Sequence, residues 1–161
     1  MQDIVSLVVF AIDPHRFAVR AGQVLEVVRA VAVAALPSAP PVVEGVINYR
    51  GRIVPVLDIR SRFGLPGRRL DPGQHFVVAE AGPRVVALRV DRAEELLSVP
   101  GDVIEPASHS APGSQYAEGV ARLADGLIVI HDLHRFLSLD EGERTDAALR
   151  DVRVPRELGA P

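Results

Sequence analysis

Apolar runs of strand length, each ended by Pro, Gly or Asp, recur along this chain. Residues 6–12 form one such run and are followed by Asp13-Pro14, where Asp can bond its own backbone and Pro presets φ. Residues 17–19 are apolar again, so residues 5–20 are predicted to form a β-hairpin. The same signals predict a second hairpin from residues 76–81, the turn Gly82-Pro83 and residues 85–90.

Four further segments are predicted as strands. Residues 24–31 mix strand-favouring Val with helix-favouring Leu, Glu and Ala; propensity does not decide between strand and short helix, and we favour a strand after a turn at 21–23. Residues 52–58 form a strand whose Pro55 indicates a sheet edge or a bulge, because proline donates no ladder hydrogen bond. Asp125-Gly126 is a strong turn signal, which predicts a hairpin from strands 118–123 and 127–131.

Helical signals are few and short. Residues 61–64 are typical of one helical turn stopped by Gly64, and residues 133–137 of a short terminal helix. Residues 145–152 are compatible with a capped helical turn, with Thr145 or Asp146 as N-cap. The remaining segments are predicted as a proline-rich loop at 36–41, a linker at 65–74 and a frayed end at 155–161.

The chain contains an internal repeat. Residues 45–59 match residues 119–133 without a gap at an offset of 74 (119 − 45), with Gly, Val, the aliphatic positions and Asp in step. An earlier stretch repeats at an offset of 69 (76 − 7), which aligns 7–10 with 76–79, Pro14 with Pro83, Arg20 with Arg89, and 26–28 with 95–97. Such a long period is not that of a solenoid. It predicts two related small β units, separated by the linker, with a groove between them.

The composition supports a mostly-β fold. The 161 residues are 48% hydrophobic but only 4% aromatic, so the core must consist of Val, Leu, Ile and Ala, and branched side chains favour strands. Many short strands must close their edges, and small barrels do so. We therefore predict two small barrels of about five strands each, and a groove without catalytic residues indicates a binding protein.

Charge and cysteine content exclude several classes of function. The net charge is −3 with no Lys, so the chain lacks the basic face that nucleic-acid binding requires, and we expect no nucleic-acid partner. Cysteine is absent, which excludes disulfides, thiolate metal sites and Cys nucleophiles. The amino terminus has no basic signal region and the longest apolar run, 30–36, is too short to span a membrane. We expect a soluble cytoplasmic protein with no membrane insertion.

Catalytic motifs are missing: the chain has no Gly-rich phosphate loop, no G-x-S-x-G and no H-E-x-x-H. The segment His131-Asp132-Leu133-His134 permits metal ligation in principle, but the repeat places Asp58 at the position of Asp132 without a neighbouring His. We therefore predict that Asp58 and Asp132 are structural caps of the helical turns that follow them, and that the chain holds no metal.

Arg50 is the strongest candidate for a binding residue. It lies in Asn48-Tyr49-Arg50-Gly51 between two predicted strands, and the second copy has Ala124 in its place, so the fold does not need an arginine there. Gly51 permits a positive φ that would hold the side chain outwards. If Glu26 approaches Arg50, the two form an ion pair that the second copy, with Glu95 and Ala124, lacks.

Three separated segments, in this order, resemble the CheW-like domain of bacterial chemotaxis. The first contains Gly-Val-Ile-Asn-Tyr-Arg-Gly-Arg-Ile-Val-Pro-Val-Leu-Asp-Ile-Arg, and the resemblance covers about residues 5–138. It implies two five-stranded, SH3-like barrels packed together with short helices, and no enzymatic activity or cofactor. The segments are 36–64, 90–99 with 104–106, and 116–137.

The resemblance also implies partners and a site. CheW-like proteins are adaptors that couple the cytoplasmic helical hairpin of chemoreceptors to the regulatory domain of a CheA-type histidine kinase, in arrays at the inner face of the membrane. The receptor hairpin is expected in the groove between the lobes. Arg50 matches the motif arginine linked to receptor coupling and Glu26 its acidic partner; Val24, Gly45 and Asn48 lie in the same matched segments. No kinase-binding residue is identified.

The chain departs from the family pattern at a few places. Tyr49 stands where the motif commonly has Leu, and His131 and His134 replace aliphatic or neutral polar residues. We assign residues 1–139 to the CheW-like domain and residues 140–161 to a charged tail. Within the domain, lobe one is expected at about 5–64 plus the helix 133–138, and lobe two at about 74–131. The alternatives are a CheW-like module of another two-component pathway, in motility or development, and, more remotely, a nucleic-acid-binding small barrel.

Overall fold

Strands dominate the computed structural model, which describes residues 3–106, 116–124 and 126–152. Asp125 and the proposed frayed end therefore lie outside the described residues, as does His109. The strands are β1 (Ile4–Ile12), β2 (His15–Arg20), β3 (Val24–Arg29), β4 (Val43–Tyr49), β5 (Arg52–Leu57), β6 (His75–Ala81), β7 (Arg84–Val90), β8 (Arg92–Pro100), β9 (Ile104–Pro106), β10 (Ala117–Leu123) and β11 (Gly126–His131).

These strands form two mixed sheets. Sheet one has the spatial order β8-β1-β2-β11-β10-β9, and sheet two has the order β3-β6-β7-β5-β4. In each sheet one pair is parallel, β2 with β11 and β5 with β7, and the other pairs are antiparallel. The predicted mostly-β fold of two small units is confirmed, with a short sixth strand added to sheet one.

The expected lobes are wrong at the level of strand pairing. Residues 5–64 do not form one lobe, because β1 and β2 lie in sheet one with β8 to β11, whereas β3 to β5 lie in sheet two with β6 and β7. Each sequence copy thus contributes its first hairpin to the sheet built from the strands of the other copy. The linker 65–74 consequently joins β5 to β6 within one sheet, and does not separate two lobes.

The repeat nevertheless predicts the pairing register. Glu26 pairs with Val78 in sheet two, and its counterpart Glu95 pairs with Val9 in sheet one. A register shift falls next to each glutamate, between Val24 and Glu26 in β3 and between Val9 and Phe10 in β1 where it faces β8. The parallel contacts correspond as well: Val56 pairs with Ala87, and Ile130 with Ala18. The two sheets are therefore copies of one arrangement.

Three apolar cores hold the molecule together. One lies between the sheets and includes Phe10 and Phe17 of sheet one with Val77 and Leu88 of sheet two. The inner face of each sheet encloses its own smaller core, represented by Ile128 in sheet one and Phe76 in sheet two. The centre of the contact between the sheets is therefore filled with apolar side chains.

Sheet two is rolled up, so that its edge strands β3 and β4 meet. Ala34, which follows β3, forms an isolated bridge with Val46 of β4, and its nitrogen donates to the carbonyl of Val46 at 3.0 Å. Gly45 permits this approach, since a Cβ there would lie 2.1 Å from the carbonyl oxygen of Ala34. The rolling brings Glu26 of β3 next to the β4–β5 turn.

Most local predictions agree with the structure. The strands of all three expected hairpins pair with each other, residues 24–29 are a strand, and Ser61–Phe63 is a 3₁₀ turn followed by Gly64 at φ 67°. Pro55 lies in an interior strand and not at a sheet edge, but β5 pairs with β7 only at Val56 and Leu57. The missing N–H of Pro55 is tolerated for this reason.

Asp91 ties the linker 65–74 to the sheets. Its carboxylate is buried and accepts hydrogen bonds from Arg60 Nη2 at 2.5 Å, Gln74 Nε2 at 3.0 Å and the backbone nitrogen of Asp13 at 2.8 Å. Burial alone would raise the pKa of Asp91, but the hydrogen bonds from Gln74 and Asp13 and the charge of Arg60 hold the pKa below its usual value. The linker is therefore an ordered part of the fold.

The first part of the expected C-terminal tail, residues 140–150, belongs to a helix. Helix α1 (Leu139–Arg150) begins at the N-cap Ser138, whose hydroxyl accepts from the nitrogen of Glu141, and not at Thr145 or Asp146. Glu141 bonds back to the nitrogen of Ser138, which completes a capping box. Ala148 is buried in the core between the sheets. In the described part of the chain, no helix is long and apolar enough to cross a membrane.

Candidate functional site

The β4–β5 turn presents Arg50 in an unusual backbone conformation. Arg50 has φ 51° and Gly51 has φ 81°, the two positive values of a type I′ hairpin turn. Glycine tolerates this region, whereas a residue with a side chain occupies it uncommonly. Asn48 supports the turn, because its Oδ1 accepts a hydrogen bond from the nitrogen of Gly51 at 2.7 Å. The predicted positive φ at Gly51 is present, and Arg50 shares it.

Arg50 forms an ion pair with Glu26. Nη2 of Arg50 lies 2.6 Å from Oε1 of Glu26, and the hydroxyl of Tyr49 donates to the same oxygen at 2.9 Å. The guanidinium of Arg50 also lies over the ring of Tyr49, 5.5 Å from its centroid. The Glu26–Arg50 ion pair, which the sequence predicts only if the two residues approach each other, is therefore present. Tyr49 is a third member of this group, and the sequence analysis does not predict it.

The pair faces solvent. The side chain of Arg50 is 68% exposed and that of Glu26 is 37% exposed. Exposed ion pairs contribute little to stability, so the fold does not depend on this one. Its exposed groups are accessible to a partner. Partial burial, followed by the hydrogen bond to Glu26, raises the pKa of Tyr49, so the phenol stays protonated and donates at neutral pH.

The equivalent place in sheet one lacks this arrangement. Glu95 corresponds to Glu26, but Leu123 and Ala124 replace Tyr49 and Arg50. Glu95 instead accepts a hydrogen bond from Arg16 at 3.0 Å. Since both sheets form the same fold, the Tyr49–Arg50 pair is an addition to the fold and not a requirement of it.

The other residues expected at the site have structural positions. Val24 is half-buried and packs against the core between the sheets, and Gly45 is buried beneath Ala34. Neither is presented beside Arg50 as a surface contact. Asn48 supports the β4–β5 turn by accepting the hydrogen bond from Gly51. Only Glu26 and Arg50, with Tyr49, are brought together as an exposed group.

The two predicted caps make corresponding hydrogen bonds. Oδ1 of Asp132 accepts from the nitrogen of His134 at 3.0 Å and caps the 3₁₀ turn Leu133–Arg135. Oδ1 of Asp58 accepts from the nitrogen of Arg60 at 3.1 Å, although Arg60 itself holds the N-cap position of the turn Ser61–Phe63. The two aspartates therefore fix the chain where it leaves β5 and β11.

The histidines near the end of β11 do not converge. His131 is buried against the rings of Phe63 at 4.6 Å and Phe17 at 4.8 Å, and burial lowers its pKa to about 3. His134 is exposed, beside Gly82. Within residues 3–106, 116–124 and 126–152, no group of three His, Asp or Glu side chains is arranged to hold a metal ion.

The geometry defines a class of protein: two packed β units that carry an exposed ion pair, supported by a tyrosine, at the turn of one hairpin. The comparisons agree with this class. A family model described as the CheW-like domain matches residues 6–141. The chain belongs to the CheW-like family, whose members are non-catalytic scaffolding adaptors of chemotaxis.

Individual relatives show how far the similarity extends. Chemotaxis protein CheW of Klebsiella aerogenes is 32% identical over 111 residues, which are 68% of this chain and 67% of the relative. The probable chemotaxis protein CheW of Rhizobium etli is 30% identical over 142 residues, 86% of this chain and 90% of the relative. The crystal structure of the scaffolding protein TtCheW from Thermoanaerobacter tengcongensis has a TM-score of 0.78 at 29% identity and covers 88% of this chain and 91% of that one. Protein FrzA of Myxococcus xanthus is 28% identical, with 88% of each chain covered.

Proposed function

We propose that this protein couples chemoreceptors to a CheA-type histidine kinase, and that it binds the helical hairpin at the cytoplasmic tip of the receptor through the surface that carries Arg50. The observation that carries this proposal is the exposed Glu26–Arg50 pair on a left-handed turn residue. Membership of the CheW-like family supports the assignment of partners. The place of action that follows is the receptor array at the inner face of the membrane.

The mechanism is geometric. The apolar core between the sheets joins sheet one to sheet two, so a partner bound to sheet two is held close to a partner on another surface. The Arg50 guanidinium retains N–H groups beyond the one bonded to Glu26, and these can bond carboxylate or carbonyl oxygens of a helix. Individual contacts can be modest, because arrays of many copies add avidity.

Charge reversal at Arg50 tests the proposal. Arg50→Glu places two carboxylates together and removes the guanidinium, which costs on the order of 2–5 kcal/mol of binding if the site is desolvated in the complex. The measurement is a pull-down with a receptor cytoplasmic fragment and, separately, with the regulatory domain of the kinase. We expect loss of receptor binding with the fold and kinase binding retained.

Arg122→Glu is the matched control. Arg122 is 67% exposed and pairs with Glu105 at 3.2 Å, which resembles the exposure and pairing of Arg50, but it lies in sheet one. It should bind the receptor fragment as the wild type does. Unchanged receptor binding by folded Arg50→Glu would remove Arg50 from the site.

A second candidate function follows from the match to FrzA, which covers 88% of this chain. Under this alternative the protein serves a CheW-like role in another two-component pathway, with a different receptor and kinase. Parallel pull-downs with receptor fragments from each such pathway of the organism distinguish the two, because only the cognate fragment should depend on Arg50.

A further inference from the structure

We propose that Tyr49 is a positioning residue, which holds Glu26 and Arg50 as one preformed unit and thereby sets the affinity of this site for its helical partner. The inference rests on the proposed function, since it assigns a role within the same docking site.

The ring of Tyr49 is anchored from below. It is half-buried and packs against the core enclosed by sheet two. A tyrosine side chain has only two rotatable bonds before its hydroxyl, so an anchored ring fixes the hydroxyl at little entropic cost. That hydroxyl donates to Oε1 of Glu26 at 2.9 Å. The core of sheet two therefore determines where the carboxylate lies.

Tyr49 contacts both members of the ion pair. Besides the bond to Glu26, its ring lies beneath the guanidinium of Arg50, with 5.5 Å between Cζ and the centroid. Nη2 of Arg50 and the phenol share Oε1 of Glu26, and in the described part of the chain Oε2 accepts no hydrogen bond. The unit thus keeps one carboxylate oxygen and several guanidinium N–H groups for a partner.

Preorganisation matters here because Arg50 is exposed. A long arginine side chain loses rotamer entropy when a partner immobilises it, and this loss reduces affinity. The contacts with Glu26 and Tyr49 restrict Arg50 before binding. A partner then orders less of the side chain, and the complex is correspondingly tighter.

The second copy of the repeat separates the role of the ring from that of the hydroxyl. Leu123 stands at the position of Tyr49 and packs against the core of sheet one, so an aliphatic side chain meets the packing requirement. Leu123 offers no phenol to Glu95, which accepts a hydrogen bond from Arg16 instead. The hydroxyl of Tyr49 is therefore dispensable for folding and specific to the site.

The test compares Tyr49→Phe and Tyr49→Leu with the wild type, by isothermal titration with the cytoplasmic signalling fragment of a chemoreceptor from the same organism. Loss of one hydrogen bond of ordinary net strength corresponds to a loss of about 3–10-fold in affinity for Tyr49→Phe, and Tyr49→Leu should lose more because the ring contact with Arg50 is lost as well. In an Arg50→Ala background, Tyr49→Phe should have no further effect, because the residue acts through Arg50.

Tyr116 provides the control. It is the second of two tyrosines, and its ring lies 5.4 Å from the guanidinium of Arg62, a contact like that of Tyr49 with Arg50 but remote from the site. Tyr116→Phe should leave receptor binding unchanged. It also leaves Tyr49 as the single phenol, whose absorbance titration should shift to lower pH when Glu26→Gln is added.

The outcomes separate the two proposals. If the wild type binds the fragment, Arg50→Glu does not, and Tyr49→Phe binds as tightly as the wild type, the role of Tyr49 is overturned and the proposed function stands. If the wild type does not bind, the proposed function fails and the role of Tyr49 falls with it. An unchanged phenol titration in Glu26→Gln would show that the Tyr49–Glu26 bond is not made.

Discussion

Glu26 and Glu95 occupy the same position in the two sheets but bind different arginines. Glu26 accepts from Arg50 at 2.6 Å across the rolled edge of sheet two, whereas Glu95 accepts from Arg16 at 3.0 Å within sheet one. The same strand arrangement thus carries the Glu26–Arg50–Tyr49 group in one sheet and a Glu95–Arg16 ion pair in the other. In the proposed function, sheet two is the side that meets the receptor.

Gly45→Ala should destabilise the protein strongly. A Cβ at Gly45 would lie 2.1 Å from the backbone oxygen of Ala34, a neighbour that cannot move without breaking the bridge between Ala34 and Val46 of β4. We expect a loss of roughly 2–4 kcal/mol in the free energy of unfolding, measured by urea denaturation. Gly22→Ala is the control, since nothing lies within 4 Å of its Cβ, and should change stability by less than about 0.5 kcal/mol. Equal stability of the two variants would refute the close approach.

Stability should fall in mild acid because of His131. Burial lowers the pKa of its imidazole from 6.5 to about 3, so between these values the unfolded chain binds a proton that the folded protein does not. The contribution of His131 is therefore fully present above pH 6.5 and is lost as the pH falls, by at most about 1.4 kcal/mol per pH unit.

The measurement for His131 is the free energy of unfolding at pH 7 and pH 5. In His131→Phe the new ring can pack against Phe17, Phe63 and Phe136 as the imidazole does. This variant should show a smaller dependence of the free energy of unfolding on pH. Replacing the exposed His134 by Gln should leave it as in the wild type. The same slope in wild type and His131→Phe would show that His131 does not titrate in this way.

Loss of the capping box should loosen helix α1. Ser138→Ala removes the acceptor of the Glu141 nitrogen, and an N-cap serine typically contributes about 1 kcal/mol. Ala148 of this helix is buried in the core between the sheets, so the loss should appear in the global unfolding transition. Ser138→Asp retains an N-cap acceptor and should recover most of the stability. If alanine and aspartate behave alike, the cap does not act as the structure indicates.

The sequence predicted which segments form strands and which segments are equivalent in the two copies of the repeat. It did not predict which strands pair with each other. The internal repeat reports which segments are alike, and the paired positions of Glu26 and Glu95 follow from it. It does not report whether the hairpin β1–β2 pairs with strands of its own copy or of the other, because both arrangements satisfy the same local patterns. The two lobes are determined by which strands pair over long distances in the sequence. Local patterns do not contain this information, and the predicted lobe boundaries were therefore wrong.

The site was partly predictable for a related reason. The repeat indicates that Arg50 is special, because Ala124 replaces it in the second copy. The sequence predicts the ion pair of Arg50 with Glu26 only if the two residues approach each other. Tyr49 could have been found by the same comparison, since Leu123 replaces it. The predicted helical turn at 145–152 begins too late, because the sequence analysis does not use Ser138 and Glu141, which have the spacing of a capping box.

The most direct test of the adaptor role is a reconstituted kinase assay. Receptor-containing membranes and a CheA-type kinase are mixed with the wild type, with Arg50→Glu or with Arg122→Glu, and the rate of kinase autophosphorylation is followed with and without receptor stimulus. We predict that the rate responds to the stimulus only when the wild type or Arg122→Glu is present. A response without the protein, or an equal response with folded Arg50→Glu, would contradict the account.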